Sequence, residues 1–280
     1  MTIKEALVQT HKTLIAHHIE EPKLESQLLL HHATNLSKDK LYFQYNRELT
    51  DKEALLLDSL IQRRLKGEPI AYILGHKEFF GLEFQVDPSV LIPRPETELL
   101  AEKAIDFAIQ HNVSLIADVG TGSGAIATAL AHHLPEATIY AVDVSSDALK
   151  TAQINCHKND VSGQVQLLHG SLLEPLPEPV DLIIANLPYV KNEDWERLPG
   201  EIKAYEPKSA LAGGTDGLDV IKELLAVAKD KLRPNGAILL EIGSDQGATA
   251  YKLAKKHFAG AQINLIRDLA GLDRVISITT

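Results

Sequence analysis

Apolar residues at helical spacing dominate the first quarter of the chain. Two groups of them keep the spacing of a helix face. They are Leu7, Leu14 and Ile15, then Leu24, Leu28 and Leu29. Thr50 followed by Glu53 is a capping-box pattern, which predicts the start of a further helix. We therefore predict a small N-terminal helical domain over residues 1–75, whose last long helix ends near Gly67.

A different pattern occupies residues 79–91. Phe80, Leu82, Phe84 and Val86 alternate with polar or small residues, as in a half-buried strand. Gly81 lies inside this segment and favours a turn. The alternation predicts a β-hairpin linker, which we assign to residues 76–91, with the domain boundary near residues 75–90.

Beyond the linker, strand-like and helix-like segments alternate, as in a repeated βαβ unit. The predicted strands cover residues 114–119, 138–144, 165–169, 180–185, 237–242 and 263–267. Helical patterns lie between them, at residues 146–158 and 218–232 for example. This order predicts an α/β domain over residues 92–280, with a mainly parallel sheet covered by helices on both faces. The last apolar run closely follows the strand before it and predicts an antiparallel final hairpin.

Charge and composition narrow the classes of function. The 280 residues carry a net charge of -10, which argues against sequence-independent binding to nucleic acid phosphates. The single cysteine, Cys156, excludes an internal disulfide. No run of about 18 apolar residues is present. We expect a cytoplasmic protein with no membrane or direct nucleic acid partner. Because no histidine spacing fits a metal site, we expect no metal.

A glycine-rich turn joins the first strand of this domain to a helix. Gly120, Thr121, Gly122, Ser123 and Gly124 form the turn. Glycine permits a tight turn and lets a ligand approach the backbone closely. The pattern is typical of a binding site for NAD as well as one for S-adenosyl-L-methionine. A turn that binds no ligand is the structural alternative.

An acidic residue ends the next predicted strand. Asp143 lies roughly 20 residues after the first glycine, the separation at which a carboxylate accepts the ribose hydroxyls of an adenosine cofactor. The structural alternative is a helix cap. Asp118, just before the glycine turn, either faces an ammonium group of the ligand or stabilises the turn.

The tetrapeptide Asn186, Leu187, Pro188 and Tyr189 follows the fourth predicted strand. An amide nitrogen is a poor nucleophile because its lone pair is delocalised. If the Asn186 side-chain oxygen and the Leu187 carbonyl each accept one N–H, the nitrogen is oriented for attack on a methyl donor. Pro188 would stiffen the loop, and the Tyr189 ring could stack on a planar substrate group. A strand-end turn is the structural alternative.

These motifs, together with segments elsewhere, resemble the peptide chain release factor glutamine N5-methyltransferases over nearly the whole chain. The most family-specific run is residues 92–98. Further matching segments are residues 67–75, 79–82, 206–207, 210–211, 213–214, 216–218, 241–243 and 246–247.

The resemblance implies a seven-stranded Rossmann-like methyltransferase sheet and an N-terminal domain that engages the release factor. It implies S-adenosyl-L-methionine as cofactor, S-adenosyl-L-homocysteine as product, and methylation of the Gly-Gly-Gln glutamine of class I release factors. Separately from the resemblance, we expect a monomer. Residues 120–124, Asp143 and Asn186 would contact the cofactor, and residues 186–189 would bind the glutamine.

The sequence departs from the family pattern at two positions. Leu187 stands where the family usually has proline, which affects loop rigidity more than a main-chain acceptor. Ser171 stands where an acidic residue is common. Ser171 and Leu172, at the end of the third strand, could flank an adenine ring, and we assign Leu172 to the cofactor site. Residues 94–98 either begin a helix or lie beside the active site.

Three other enzymes share parts of the pattern. An adenine-N6 DNA methyltransferase uses a similar tetrapeptide on a flipped base, but the negative charge argues against it. A ribosomal-protein glutamine methyltransferase is the second alternative, but the run at residues 92–98 favours a release factor as the substrate. A NAD-dependent dehydrogenase would leave residues 186–189 without a role.

Overall fold

The computed structural model describes residues 1–280, except for the side chain of Lys38. Its contacts divide the chain into two compact units. Unit 1 comprises Met1–Gly75 and Gly200–Tyr205, and unit 2 comprises His76–Pro199 and Glu206–Thr280. We number helices and strands in chain order. No helix in the described residues is both long and apolar enough to cross a membrane.

Unit 1 is built from helices, as the spacing of its leucines predicts. The helices are α1 (Ile3–Ala16), α2 (Pro22–Thr34), α3 (Lys38–Phe43), α4 (Asp51–Leu65), α5 (Ile70–Leu74) and the short α9 (Gly200–Tyr205). The predicted capping box is present at α4, where Thr50 and Glu53 exchange hydrogen bonds. Leu14, Leu29 and Leu60 are among the buried residues of the core that the helices share.

A long-range ion pair joins segment Gly200–Tyr205 to the other helices of unit 1. Arg64 on α4 contacts Glu25 on α2 at 2.6 Å and Glu201 on α9 at 2.9 Å. Arg64 and Glu25 are both buried, so an unpaired charge there would be costly. The Tyr205 hydroxyl also donates to the Lys66 carbonyl oxygen at 3.3 Å. No local pattern in the sequence predicts that residues 200–205 contact the N-terminal helices.

Unit 2 contains a seven-stranded sheet. The strands of unit 2, including a separate hairpin, are β1 (His76–Phe79), β2 (Leu82–Gln85), β3 (Leu115–Val119), β4 (Thr138–Asp143), β5 (Val165–His169), β6 (Val180–Ala185), β7 (Leu232–Glu241), β8 (Gln262–Arg267) and β9 (Asp273–Thr279). The sheet order is β5-β4-β3-β6-β7-β9-β8. Strands β3 to β7 pair in parallel, and β9 runs antiparallel to β7 and β8. This confirms the predicted α/β fold and the final hairpin.

Helices cover both faces of the sheet. They are α6 (Glu98–His111), α7 (Ala125–His133), α8 (Ser146–Lys158), α10 (Asp219–Ala228) and α11 (Gly247–His257). Alternate residues of a strand enter different cores: Ile116 packs with α6 and α7, whereas Ala117 packs with α10 and α11. The apolar strand runs reflect this burial on both faces.

The hairpin β1–β2 lies earlier than the alternation at residues 79–91 predicts. Phe80 and Gly81 form its two-residue turn, both with positive φ. Phe79 and Phe84 on the two strands are buried in the same core as α6. The hairpin is therefore packed into unit 2.

Strand order places a crevice at one edge of the sheet. β3 pairs with β4 on one side and with β6 on the other, so the chain reverses its direction of strand addition between them. In open parallel sheets, ligands bind outside the carboxyl ends of the strands at such a switch point. The glycine turn follows β3, Asp143 ends β4, and residues 186–189 follow β6.

Candidate active site

A cavity of about 460 Å³ lies at this edge of the sheet in unit 2. Its volume falls in the range of roughly 300–1,000 Å³ that is typical of small-molecule sites. It brings together most of the site residues predicted from the sequence. Those lining it are Gly120, Thr121, Gly122, Ser123, Asp143, Leu172, Asn186, Leu187 and Pro188. Gly124 and Tyr189 are outside the lining.

The glycine turn adopts a backbone that favours glycine at three positions. Gly120, Gly122 and Gly124 have φ of +74°, +56° and +77°. The N–H groups of Gly120 and Thr121 both donate to the Val142 carbonyl oxygen on β4, at 2.9 and 3.0 Å. These bonds fix the turn against the neighbouring strand, and Gly120 and Gly122 line the cavity.

Gly124 serves helix packing instead of lining the cavity. A Cβ there would lie 3.0 Å from the Cβ of Ala152 on α8. Because α7 begins at the next residue, this glycine lets α7 and α8 approach each other closely.

Asp118 stabilises the turn through hydrogen bonds made by its side chain. It is fully buried, and its Oδ2 accepts from the Thr121 hydroxyl at 2.6 Å and from the Ala127 N–H at 3.1 Å. Its Oδ1 has no hydrogen-bond partner in the described residues. Burial raises the pKa of Asp118 to about 6. Of the two roles open from sequence, the geometry supports stabilisation of the turn.

Asp143 connects the glycine turn to the loop after β4. Its Oδ2 accepts from the Gly122 N–H and its Oδ1 from the Ser145 N–H, each at 2.8 Å. A carboxylate has about four acceptor sites, so each oxygen can take one more hydrogen bond. Asp143 can therefore order the turn and still accept two hydroxyl groups from a ligand in the cavity.

Leu172 lines the cavity in an unusual backbone conformation. Its φ is +49°, in the left-handed region that non-glycine residues rarely adopt. The neighbouring Ser171 and Gly170 also line the cavity. The turn therefore contributes one apolar residue and one small polar residue to the cavity lining.

The loop at residues 186–189 is the second wall of the cavity. The Asn186 side-chain amide donates through Nδ2 to the Thr97 hydroxyl at 3.0 Å. Leu187 is buried, and its Cδ2 would lie 3.2 Å from a Cβ at Gly120. The Leu187 side chain thus packs on the glycine turn, which couples the two walls of the cavity.

Tyr189 points away from the cavity lining. Its hydroxyl donates to Oε1 of the buried Glu241 at 3.1 Å, and its carbonyl oxygen accepts from Gln246 Nε2 at 2.9 Å. Burial, followed by the nearby Glu241 charge, raises the pKa of Tyr189, so its hydroxyl stays protonated at neutral pH. The structure therefore does not place the ring where stacking on a ligand in the cavity was predicted.

The backbone of residues 211–214 supports the same loop. The Val190 N–H donates to the Leu211 carbonyl oxygen, and the Gly213 N–H donates to that of Val190. A Cβ at Gly213 would lie 2.6 Å from the Pro188 carbonyl oxygen. Only glycine allows this close approach, so the loop has little freedom to move on that side.

Residues 94–98 lie beside the cavity. Arg94 lines it and forms an ion pair with Glu206, whose other oxygen accepts from the Ile92 N–H at 3.2 Å. Glu98 begins α6 and accepts from the Phe80 N–H at 2.9 Å. The run thus both begins a helix and contributes to the cavity.

Three polar residues that support the 186–189 loop were not assigned a role from sequence. They are Thr97, Glu241 and Gln246. All three lie in segments that match the resembled family, but their contacts join residues far apart in the chain. Local sequence pattern carries no signal for such pairings.

Two family models match the chain. A model described as "PrmC N-terminal domain" matches residues 5–75, and one described as "Methyltransferase small domain" matches residues 97–199. The second match includes the glycine turn, Asp143 and the loop at residues 186–189.

Curated relatives match along nearly the whole chain. A release factor glutamine methyltransferase from Moorella thermoacetica is 42% identical over 275 residues, covering 98% of this chain and 97% of the relative. One from Neisseria gonorrhoeae is 42% identical over 258 residues, covering 91% and 92%. Among solved structures, a methyltransferase from Pyrococcus furiosus has a TM-score of 0.52 at 19% identity, covering 78% of this chain and 96% of that one. This last similarity concerns the fold alone.

Proposed function

This chain belongs to the family of release factor glutamine methyltransferases, and on that premise we propose a specific reaction. The chain transfers a methyl group from S-adenosyl-L-methionine to the side-chain nitrogen N5 of the glutamine in the Gly-Gly-Gln motif of peptide chain release factors. The observation that carries the proposal is that one cavity joins the glycine turn and Asp143 to the amide of Asn186.

The cavity has the donor and acceptor groups that an adenosine cofactor requires. Asp143 has one free acceptor site on each oxygen for the ribose hydroxyls. Gly120 and Gly122 leave the backbone open to close approach, and Leu172 offers an apolar surface for the adenine ring. When bound there, S-adenosyl-L-methionine would supply an electrophilic methyl group and leave as S-adenosyl-L-homocysteine.

Two acceptors in the loop can hold the target nitrogen. Asn186 Nδ2 is engaged by Thr97, and no described residue donates to Asn186 Oδ1 or to the Leu187 carbonyl oxygen. If each accepts one N–H of the glutamine amide, the nitrogen lone pair is directed away from both, toward the methyl donor. Acceptors fixed in advance also stabilise the positive charge that develops on the nitrogen, which then releases one N–H proton to water to give the neutral N-methyl amide.

The rest of the loop keeps these acceptors in place. Pro188 and Gly213 restrict its backbone, and Tyr189 anchors it through Glu241 and Gln246. We therefore assign Tyr189 to bracing the loop and not to stacking on the substrate. A rigid loop matters because misplacement by about 1 Å can cost a factor of a hundred in rate.

Unit 1 is the part we assign to binding the protein substrate. All residues that line the cavity belong to unit 2, so unit 1 supplies none of the groups proposed for chemistry. The match to the N-terminal family model over residues 5–75 supports a separate role for it.

The proposal is tested by offering the purified chain an isotopically labelled methyl donor with three substrates. These are a release factor, the same factor with asparagine in place of the motif glutamine, and duplex DNA. Mass spectrometry should find label on the glutamine of the intact factor and on neither control. Label on adenine, or equal labelling of the asparagine-bearing factor, would contradict the proposal.

A further inference from the structure

The proposed mechanism requires the Asn186 amide to face the cavity in one orientation. An amide has an acceptor oxygen and a donor NH2 group of nearly equal size, and a half-turn of the side chain exchanges them. Only the oxygen can accept an N–H from the target nitrogen. The mechanism therefore requires a neighbouring group that favours one orientation of the Asn186 amide over the other.

Thr97 is the residue in contact with the other end of this amide. Its Oγ1 lies 3.0 Å from Asn186 Nδ2. Thr97 is only 4% exposed, and its backbone N–H donates to the Arg94 carbonyl oxygen at 3.1 Å in the turn before α6. Its hydroxyl is therefore held at a fixed position behind Asn186.

A threonine hydroxyl can both donate and accept, so contact alone does not set the direction of this hydrogen bond. The direction depends on what takes the hydroxyl hydrogen. The neighbouring acceptor is Glu241, whose side chain is buried and whose Oε1 accepts from Tyr189 at 3.1 Å. Its Oε2 is buried and has no hydrogen-bond partner in the described residues, which leaves an acceptor site open on that oxygen.

Glu241 is a buried carboxyl group whose ionised form the Thr97 hydroxyl favours. Burial raises the pKa of Glu241, and the hydroxyls of Thr97 and Tyr189, with the charge of Arg274, oppose that rise. In the ionised form, which the charge of Arg274 favours, both oxygens of Glu241 can only accept hydrogen bonds. A hydroxyl that donates to Glu241 has only its lone pairs left for Asn186.

We propose that Thr97 is a positioning residue that fixes the polarity of Asn186: with its hydrogen directed to Glu241, Thr97 accepts from Asn186 Nδ2 and leaves Oδ1 facing the target nitrogen. This inference rests on the proposed function. It adds a chain of hydrogen bonds with one direction, from Asn186 through Thr97 to Glu241. This chain keeps an acceptor oxygen of Asn186 facing the substrate.

Loss of the Thr97 hydroxyl removes the group that selects the orientation of the Asn186 amide. In Thr97→Val, which has nearly the same shape, Asn186 can turn its NH2 group toward the cavity, where it opposes the N–H groups of the substrate. We expect the single-turnover rate of methyl transfer to fall on the order of tenfold or more, less than for loss of Asn186 itself. Thr97→Ser keeps the hydroxyl and should restore most of the rate.

The same substitution in a second variant distinguishes an effect on the orientation of the Asn186 amide from an effect on the position of the loop. In Asn186→Asp, both side-chain oxygens accept, so a half-turn changes nothing. We expect Thr97→Val to cost much less in the Asn186→Asp background than in the parent. Binding of S-adenosyl-L-homocysteine, measured by calorimetry, should be unchanged in Thr97→Val, which shows that the cavity is still formed.

Two results would overturn the inference. One is a Thr97→Val chain that transfers methyl groups at the parent rate. The other is an equal loss in both backgrounds, which would show that Thr97 only supports the loop. Failure of the proposed function is distinguishable, because in that case the parent chain itself does not methylate glutamine in the release factor.

Discussion

Replacement of Asp143 by alanine should weaken binding of S-adenosyl-L-homocysteine more than the loss of a single ligand contact would. In the structure, this carboxylate orders the glycine turn through Gly122 and the following loop through Ser145, at 2.8 Å each. We also propose that it accepts the ribose hydroxyls. Asp143→Ala removes both functions at once.

The magnitude follows from these bonds. Hydrogen bonds to a charged group contribute about 1.5–3 kcal/mol, and an ordinary backbone hydrogen bond contributes about 1 kcal/mol. Loss of one charged ligand contact and of order at Gly122 gives about 3 kcal/mol, which is a factor of roughly 150 in the dissociation constant. Asp143→Asn keeps one acceptor oxygen and should lose less.

Calorimetric titration measures the dissociation constant, and thermal unfolding shows whether each variant is folded. Asp106→Ala is the charge-matched control, because Asp106 is exposed on α6, pairs only with Lys103 among the described contacts and does not line the cavity. It should bind as the parent does. Asp143→Ala binding within about twofold of the parent, in a folded protein, would refute the assignment of Asp143 to the cofactor.

Further substitutions test the loop and the buried acid. Leu187→Pro should keep the rate of methyl transfer within about tenfold, since no described contact uses the Leu187 N–H; a larger loss in a single-turnover assay would show that its side chain is essential. Gly213→Ala, whose Cβ would meet Pro188, should lower this rate while calorimetry finds cofactor binding intact; an unchanged rate would show that the loop tolerates displacement. For Asp118, burial raises the pKa to about 6, so its ionisation opposes folding as pH rises. The free energy of unfolding of the parent relative to Asp118→Asn should fall by about 2 kcal/mol between roughly pH 4 and pH 6, and a pH-independent difference in chemical denaturation would contradict this.

Sequence pattern predicted the sheet well because its strands are buried on both faces. Such strands are short continuous apolar runs, and β5 and β6 occupy the residues predicted for them. Helix α8 also has its predicted bounds, with Ser145 as its N-cap. In these elements the local pattern and the tertiary environment favour the same structure.

The β1–β2 hairpin is an element whose turn the alternation of apolar and polar residues predicts at the wrong position. An alternation that begins at Phe80 places Phe80, Leu82 and Phe84 on one face. The positive φ of Phe80 and Gly81 makes these residues the turn itself, so the buried partner of Phe84 is Phe79. A turn changes the phase of alternation, and the phase is visible only when both strands are paired.

The candidate site was predictable to the extent that it follows strand ends. Parallel strands bring their carboxyl ends to one edge, which is why Gly120, Asp143 and Asn186 meet at the cavity. The direction of Tyr189 and the link from Thr97 to Asn186 depend on side-chain contacts between distant segments. The attachment of Glu201 to Arg64 in unit 1 is of the same kind.

The most direct test of the central claim compares the parent chain with Asn186→Ala in single-turnover methyl transfer to an intact release factor. Tandem mass spectrometry locates the methyl group, and saturating methyl donor separates the rate from binding. We expect a methyl group on glutamine N5 in the parent and a rate lower on the order of a hundredfold in Asn186→Ala, with the fold intact. An Asn186→Ala chain that methylates glutamine at the parent rate would contradict it.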